Sequence, residues 1–408
     1  MAQDTLTPLK TGWYLLGPAF VAAIAYVDPG NVAANVSAGS QFGFQLLWVV
    51  VAANVLAGLV QYLSAKLGLV TGRTLPEAVG RQMSRPVRLA YWAQAEVVAM
   101  ATDVAEVVGG AIALKILFNL PLLIGGLTTG VMSMALLAIH DRRGQRWFEW
   151  VITGLLVVIA VGFAAGFFVA TPPPSAVLGG VVPRFQGTES VLLAAAILGA
   201  TVMPHAVYLH SGLARDRHGH PEAGPPRRRL LRATRWDVGL AMMVAGAVNA
   251  AMLLVAALNI HGHGDTGSIE GAYSAIRDTV SPTIAVFFAV GLLASGLASA
   301  SVGAYAGAMI MQGLLYRSVP LLLRRLVTLI PALLILTSGF NPTRALVLSQ
   351  VVLSFGIPFA LLPLVRLTGN RALMGADTNH RVTTTVGWAV AVLISLLNVV
   401  LIYQTATG

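Results

Sequence analysis

An apolar run from Trp13 to about Gly39 carries Asp28-Pro29-Gly30-Asn31 near its middle. That interruption constrains the fold more than any other stretch. A run of this length crosses a bilayer as a helix, which takes roughly 20 apolar residues. Proline has no N–H and its ring clashes with the carbonyl four residues back, so the helix opens at Asp28 and the Ala25 carbonyl loses its partner. A carboxylate beside a freed carbonyl, far from water, makes a cation site.

The device recurs. Met203-Pro204-His205 lies within a second apolar run, from about Val191 to Gly212, where Pro204 frees the Ala200 carbonyl. Two interrupted helices in corresponding positions of two halves point to a secondary transporter with its site between them.

Composition agrees with this class. Of 408 residues, 56% are hydrophobic and 10% charged, which excludes an ordinary soluble domain. Apolar runs near 13–39, 44–70, 89–114, 120–139, 148–170, 191–212, 237–260, 283–314, 326–341, 345–366 and 382–404 predict an all-α polytopic membrane protein of eleven transmembrane helices. The formal net charge of +10 invites a nucleic-acid reading. However, with a cytoplasmic N-terminus 22 of the 26 basic residues fall inside, and only Lys115, Arg184, Arg277 and Arg344 fall outside. That bias sets the orientation, places the C-terminus outside, and explains the charge without nucleic acid. Cysteine is absent, so disulfides and thiolate metal ligands are excluded. The first run lacks a small-residue cleavage site and more crossings follow it, so it does not read as a removable signal peptide.

Between the runs, Thr74-Leu75-Pro76-Glu77 has capping-box spacing, which fits a short cytoplasmic helix through about Gln82 or a plain connection. Arg215 to Arg235, with His218 and His220, reads as a mobile cytoplasmic loop facing anionic lipid rather than as a metal site. Thr171-Pro172-Pro173-Pro174 opens a long outer loop, and His261 to Thr283 forms another. Runs one to five and six to ten have opposite topology, so the expected organisation is one transport domain over 1–408. It comprises a first inverted repeat (13–170), a second (191–366) and an additional helix (382–404). Gly303 and Gly307 offer a surface for close helix packing.

The third run carries Glu96, Asp103 and Glu106, spaced by seven and three residues and so on one side of a helix. Acids at such depth mark proton relays or ion paths, or serve as buried partners of arginines. Arg324 and Arg325 either pair with them or act as positive-inside anchors, the latter being slightly favoured.

Asp28-Pro29-Gly30-Asn31, Met203-Pro204-His205 and the following Tyr208-Leu209-His210-Ser211 resemble the signature motifs of the Nramp family, proton-coupled divalent-metal transporters. The likeness covers the whole chain, including the acid pattern, Gln350 and the eleven-run layout, and is closest to bacterial manganese transporters. Ala206 departs from the pattern, since many relatives carry Asn after the His. The resemblance implies a LeuT-like fold with broken helices 1 and 6, in the cytoplasmic (inner) membrane, that alternates between outward-open and inward-open states. It implies as metal ligands Asp28, Asn31, Met203 and the Ala25 and Ala200 carbonyls, with Gln350 joining in some conformations. The cargo is Mn²⁺ or a similar divalent ion, with Fe²⁺ and related ions expected, imported with protons. No cofactor and no obligate protein partner are expected.

Ligand chemistry supports that set from below. Oxygen ligands suit Mn²⁺, and the Met203 thioether favours transition metals over Mg²⁺ or Ca²⁺. His205 lies about 200° round a regular helix from Met203, so a proton or gating role fits it better than ligation. His210 returns to the Met203 side and would line the inward exit. Each His also fits a buried, hydrogen-bonded imidazole. Asp28 is expected to hold a proton when the site is empty and to release it on metal binding. Asp103 and Glu106 would receive it and pass it on by Glu96 or Arg325.

Two other readings are open to the sequence. An amino-acid or organic-cation carrier of this architecture would present helix N-termini to a substrate carboxylate, which Asp28 repels. Gly262-His263-Gly264-Asp265 fits the Gly-x-Gly-Asp pattern of membrane aspartyl proteases, but it lies in a polar loop without a second membrane Asp to share its proton. No His-Glu-x-x-His motif or phosphate-binding glycine loop is present, so neither zinc hydrolysis nor ATP-driven transport is indicated.

Overall fold

The computed structural model describes residues 17–143, 145–165, 172–262, 268–317 and 320–407. His263, Gly264 and Asp265 of the protease-like pattern, Thr171 and the lead through Leu16 lie outside the described residues. Every regular element described is helical.

The first pass is broken as its proline demands. Helix α1 (Pro18–Ile24) tightens into a 3-10 turn (Ala25–Val27), the chain extends at Asp28, and α2 (Pro29–Phe42) begins with proline at its first position. The helix therefore narrows before it opens. Then follow α3 (Leu47–Thr71), α4 (Leu75–Gly80), α5 (Arg85–Phe118), α6 (Leu122–Arg143), α7 (Gln145–Ala164) and α8 (Pro174–Gly180). The second broken pass is α9 (Gly187–Thr201) and α10 (Pro204–His218), with Met203 extended between them. The chain continues through α11 (Pro225–Asn259), α12 (Ile269–Thr279), α13 (Pro282–Leu315), α14 (Leu321–Thr337), α15 (Pro342–Thr368), α16 (Arg371–Met374) and α17 (Arg381–Thr407).

Seven helical stretches among the described residues are long and apolar enough to cross a bilayer, and Pro18–Val27, Leu122–Leu136 and Glu149–Phe163 are shorter apolar helices. All ten overlap expected runs. The run expected at 326–341 overlaps α14, which starts and stops about one turn earlier.

Three loop expectations are corrected. The segment Arg215–Arg235 is not a loop. Helix α10 runs on to His218 and α11 starts at Pro225, leaving only Gly219–Gly224 between them. Proline suits the first helical turn, and three of the arginines expected to face anionic lipid find carboxylate partners: Arg215 on Glu77 (3.1 Å), Arg217 on Glu149 (3.4 Å) and Arg227 on Asp377 (3.2 Å). The prolines that open the 171–174 stretch likewise start α8, and Ser268 caps α12 inside the expected outer loop at 261–283. At Thr74 the helical alternative holds. Thr74 Oγ1 accepts from Glu77 N at 3.3 Å and Thr74 N donates to Glu77 Oε2 at 2.9 Å, a reciprocal cap that starts α4.

Packing brings the breaks to the centre. Pro29 lies directly on Gly109 of α5, Gly199 of α9 lies on the Gln350 carbonyl of α15, and Gly30 lies on the Gln350 side chain; a Cβ at any of these glycines would overlap its neighbour. Glycine is required there by close approach of the helices.

Candidate ion site at the paired helix breaks

Asp28 is the N-cap of α2. Its Oδ1 accepts from the backbone N–H of Asn31 (2.7 Å) and from Asn31 Nδ2 (2.8 Å). The same Nδ2 donates to the Ala200 carbonyl at 2.9 Å, the group that Pro204 frees. One amide thus ties the first break to the second. Asp28, Asn31, Met203 and Gln350 are fully buried, and Ala25 and Ala200 almost so.

Four buried oxygens in this region have no hydrogen-bond partner: Asp28 Oδ2, Asn31 Oδ1, Gln350 Oε1 and Thr201 Oγ1. The two amide oxygens can only accept, and so does the Asp28 oxygen when the carboxyl is ionised. An unpaired buried acceptor is costly, and several together are what a cation relieves. These acceptors come from one carboxylate and two amides, beside the Ala200 carbonyl that Asn31 reaches. Accordingly, no group of three or more His, Cys, Asp or Glu that could hold a metal occurs among the described residues.

Partners that the motifs did not point to complete the first break. Asn249 of α11 donates to the Tyr26 carbonyl at 2.7 Å while its own Oδ1 accepts from Asn35 at 3.0 Å, and Ser295 of α13 donates to the Val27 carbonyl at 2.6 Å. These side chains hold the carbonyls on either side of the bend. An amide inside the apolar run of α11 was a usable signal for Asn249; Ser295, one small residue among many, gave none.

His205 Nδ1 meets Thr102 Oγ1 at 3.3 Å, next to Asp103 on α5. His210 Nδ1 meets Gln61 Oε1 at 2.6 Å, Gln61 Nε2 donates to the Tyr26 hydroxyl, and His210 Nε2 is buried without a partner. That chain runs from α10 through α3 to the first break.

The acid stripe of α5 is paired, which corrects the anchor reading of Arg324 and Arg325. Arg325 is completely buried and donates through Nη1 to Asp103 Oδ1 and to Glu106 Oε2 (3.4 Å), while Arg324 Nη2 donates to Glu96 Oε1 at 3.0 Å. Burial drives the pairing, since an isolated charge there is far costlier than a paired one. Gly303 and Gly307 of α13, expected as a bare helix contact, make room for the Glu106 carboxylate and the Arg324 guanidinium.

A polar cavity of about 370 Å³ opens where the far end of α2, the start of α9 and the start of α15 meet, lined by Ser37, Gln41, Glu189, Ser268, Asn341 and Arg344 among others. These three helices carry Asn31, Ala200 and Gln350.

The family model described as natural resistance-associated macrophage protein-like (Nramp) matches residues 19–404. The divalent metal cation transporter MntH of Mycobacterium tuberculosis is 79% identical over 408 residues, covering 100% of this chain and 95% of that one. The Eremococcus coleocola manganese transporter, in complex with an aromatic bis-isothiourea substituted compound, superposes with a TM-score of 0.83 at 31% identity, covering 96% of this chain and 86% of its own. Mhp1, a nucleobase-cation-symport-1 family transporter, superposes with a TM-score of 0.59 at 17% identity over 95% and 90% of the two chains, a likeness of fold alone. The class is therefore a multi-pass helical membrane protein with the LeuT-like transporter fold, broken in its first and sixth passes. The chain belongs to the Nramp family.

Proposed function

We propose that this chain carries divalent transition-metal ions, Mn²⁺ and Fe²⁺ among them, through the cytoplasmic membrane together with protons, by alternating access. The observation that carries the reading is the set of unpartnered acceptor oxygens on Asp28, Asn31 and Gln350, beside the Ala200 carbonyl that Asn31 reaches. The names of the family's transporters support the cargo. Asp28, Asn31, Met203 and the Ala25 and Ala200 carbonyls hold the ion, Gln350 joins as the helices close, and the thioether discriminates against Mg²⁺ and Ca²⁺. The cavity beside Glu189 is the access path.

Protons take a separate route. The ion displaces a proton from Asp28 towards Asp103 and Glu106, and the pairs with Arg325 and Arg324 lead on by Glu96. His205, bonded beside Asp103, stands between the two paths, and His210 guards the inward exit. The arginine-rich end faces the cytoplasm and the C-terminus lies outside. Residues 13–170 and 191–366 form the inverted halves of a single transport domain, with 382–404 added outside them.

Proteoliposome flux of Mn²⁺, Fe²⁺, Co²⁺ and Cd²⁺, with the lumenal pH recorded at the same time, tests the reading. Metal uptake with acidification is expected. Uptake without a pH change would remove the proton coupling, and no uptake of any of these ions would remove the function.

A further inference from the structure

Helix α15 contains Pro358 and Pro363 in its interior, and each withholds the N–H that the carbonyl four residues earlier would use, at Ser354 and Phe359. Both carbonyls find side-chain donors on other helices. Phe359 O accepts from the Tyr208 hydroxyl of α10 at 3.4 Å, and Ser354 O accepts from Asn398 Nδ2 of α17 at 2.9 Å. Asn398 Oδ1 in turn accepts from Ser354 Oγ at 2.8 Å, so both ends of one amide are spent on one residue of α15.

Asn398 is the only buried polar side chain among the described residues of α17, a helix whose other face, including Leu393, Leu396 and Val399, is exposed. An amide on an outer apolar helix is costly unless its partners are fixed. Ser354 stands one helical turn after Gln350, and α9 packs on the same turn, with Gly199 against the Gln350 carbonyl and the Ser354 N–H. Gln350 in turn rests on Gly30 within the first break.

We infer that Asn398 is a positioning residue: by supplying the donor that Pro358 withholds, α17 fixes the turn of α15 that sets how far Gln350 reaches towards the ion. The inference rests on the metal-transport reading for its functional half. The pairing itself does not.

The test is a cycle of Asn398→Leu, Pro358→Ala and both together, with Pro358→Val as a second donor-bearing variant. Alanine or valine at 358 returns an in-helix N–H to the Ser354 carbonyl. In purified protein without metal, the fall in Tm caused by Asn398→Leu should shrink by at least half when the N–H is restored; equal falls in both backgrounds overturn the pairing. In proteoliposomes Asn398→Leu should raise the KM for Mn²⁺ by about tenfold, the scale of one lost buried hydrogen bond. The rise should drop below about twofold with Pro358→Ala, and below about twofold in a Gln350→Ala background. A KM rise that ignores Gln350→Ala overturns the positioning role. If the unsubstituted protein moves no Mn²⁺, the transport reading fails while the Tm cycle still decides the pairing.

Discussion

Asp28→Asn exchanges one oxygen for an NH₂ group and changes little else. The two bonds that cap α2 both end on Oδ1, from Asn31 N at 2.7 Å and Asn31 Nδ2 at 2.8 Å, and an amide oxygen accepts both equally well. The fold should therefore survive. Oδ2, which has no donor, becomes the nitrogen, and two hydrogens then point where lone pairs stood. No group of three or more His, Cys, Asp or Glu is at hand to compensate among the described residues. A unit charge about 4 Å from a dication gains about 8 kcal/mol at an effective dielectric of 20, and allowing half of that for desolvating the carboxylate leaves about 4 kcal/mol. That is about a thousandfold in Kd. Calorimetric titration of the purified protein with Mn²⁺ reads the loss, and a melting curve confirms the fold. A folded Asp28→Asn protein that binds Mn²⁺ within tenfold of the parent would refute Asp28 as the charged ligand.

Met203→Ala should keep part of the Mn²⁺ flux and admit Ca²⁺ or Mg²⁺ in competition assays, and a variant that still rejects Ca²⁺ removes the thioether as the filter. Arg325→Met leaves Asp103 and Glu106 buried opposite an apolar chain, so a loss of about 3–5 kcal/mol is expected as a lower Tm or failed expression. An unchanged Tm would mean that those acids are already neutral without the arginine. Gly199→Ala drives a methyl into the Gln350 carbonyl, which should cost about 1–3 kcal/mol or more and stop flux. Parental flux in that variant would show that α9 and α15 stand further apart than described.

The breaks at Asp28 and Met203 were legible because the chemistry is local: a proline disarms a carbonyl wherever it sits. What closes around those carbonyls was not, because it depends on which helix lies alongside. Asn249 and Ser295 are more than 200 residues from the turn they hold. The acids of α5 were legible as a stripe, yet their partners were misjudged, since arginines at the start of a run look alike whether they face phosphate or turn inward. Arg325 turns inward because Asp103 and Glu106 wait there, with Gly303 clearing space for the Glu106 carboxylate, and Arg324 turns in beside Gly307. The Arg215–Arg235 segment misled for a related reason. Its arginines suggested a mobile loop facing anionic lipid, but Glu77, Glu149 and Asp377 each take one, and all but the Gly219–Gly224 connection is helical.

A lone carboxylate among otherwise neutral ligands has an electrical consequence. With a dication aboard, the proposed ligand set carries a surplus of about one positive charge; vacated, with Asp28 holding its proton, it is neutral. In a cell whose interior is negative, voltage then pulls the loaded core inward, by up to about 2.3 kcal/mol per 100 mV, and the vacated core returns without electrical work. A second acid beside Asp28 would tighten the grip on the ion and forfeit the inward pull.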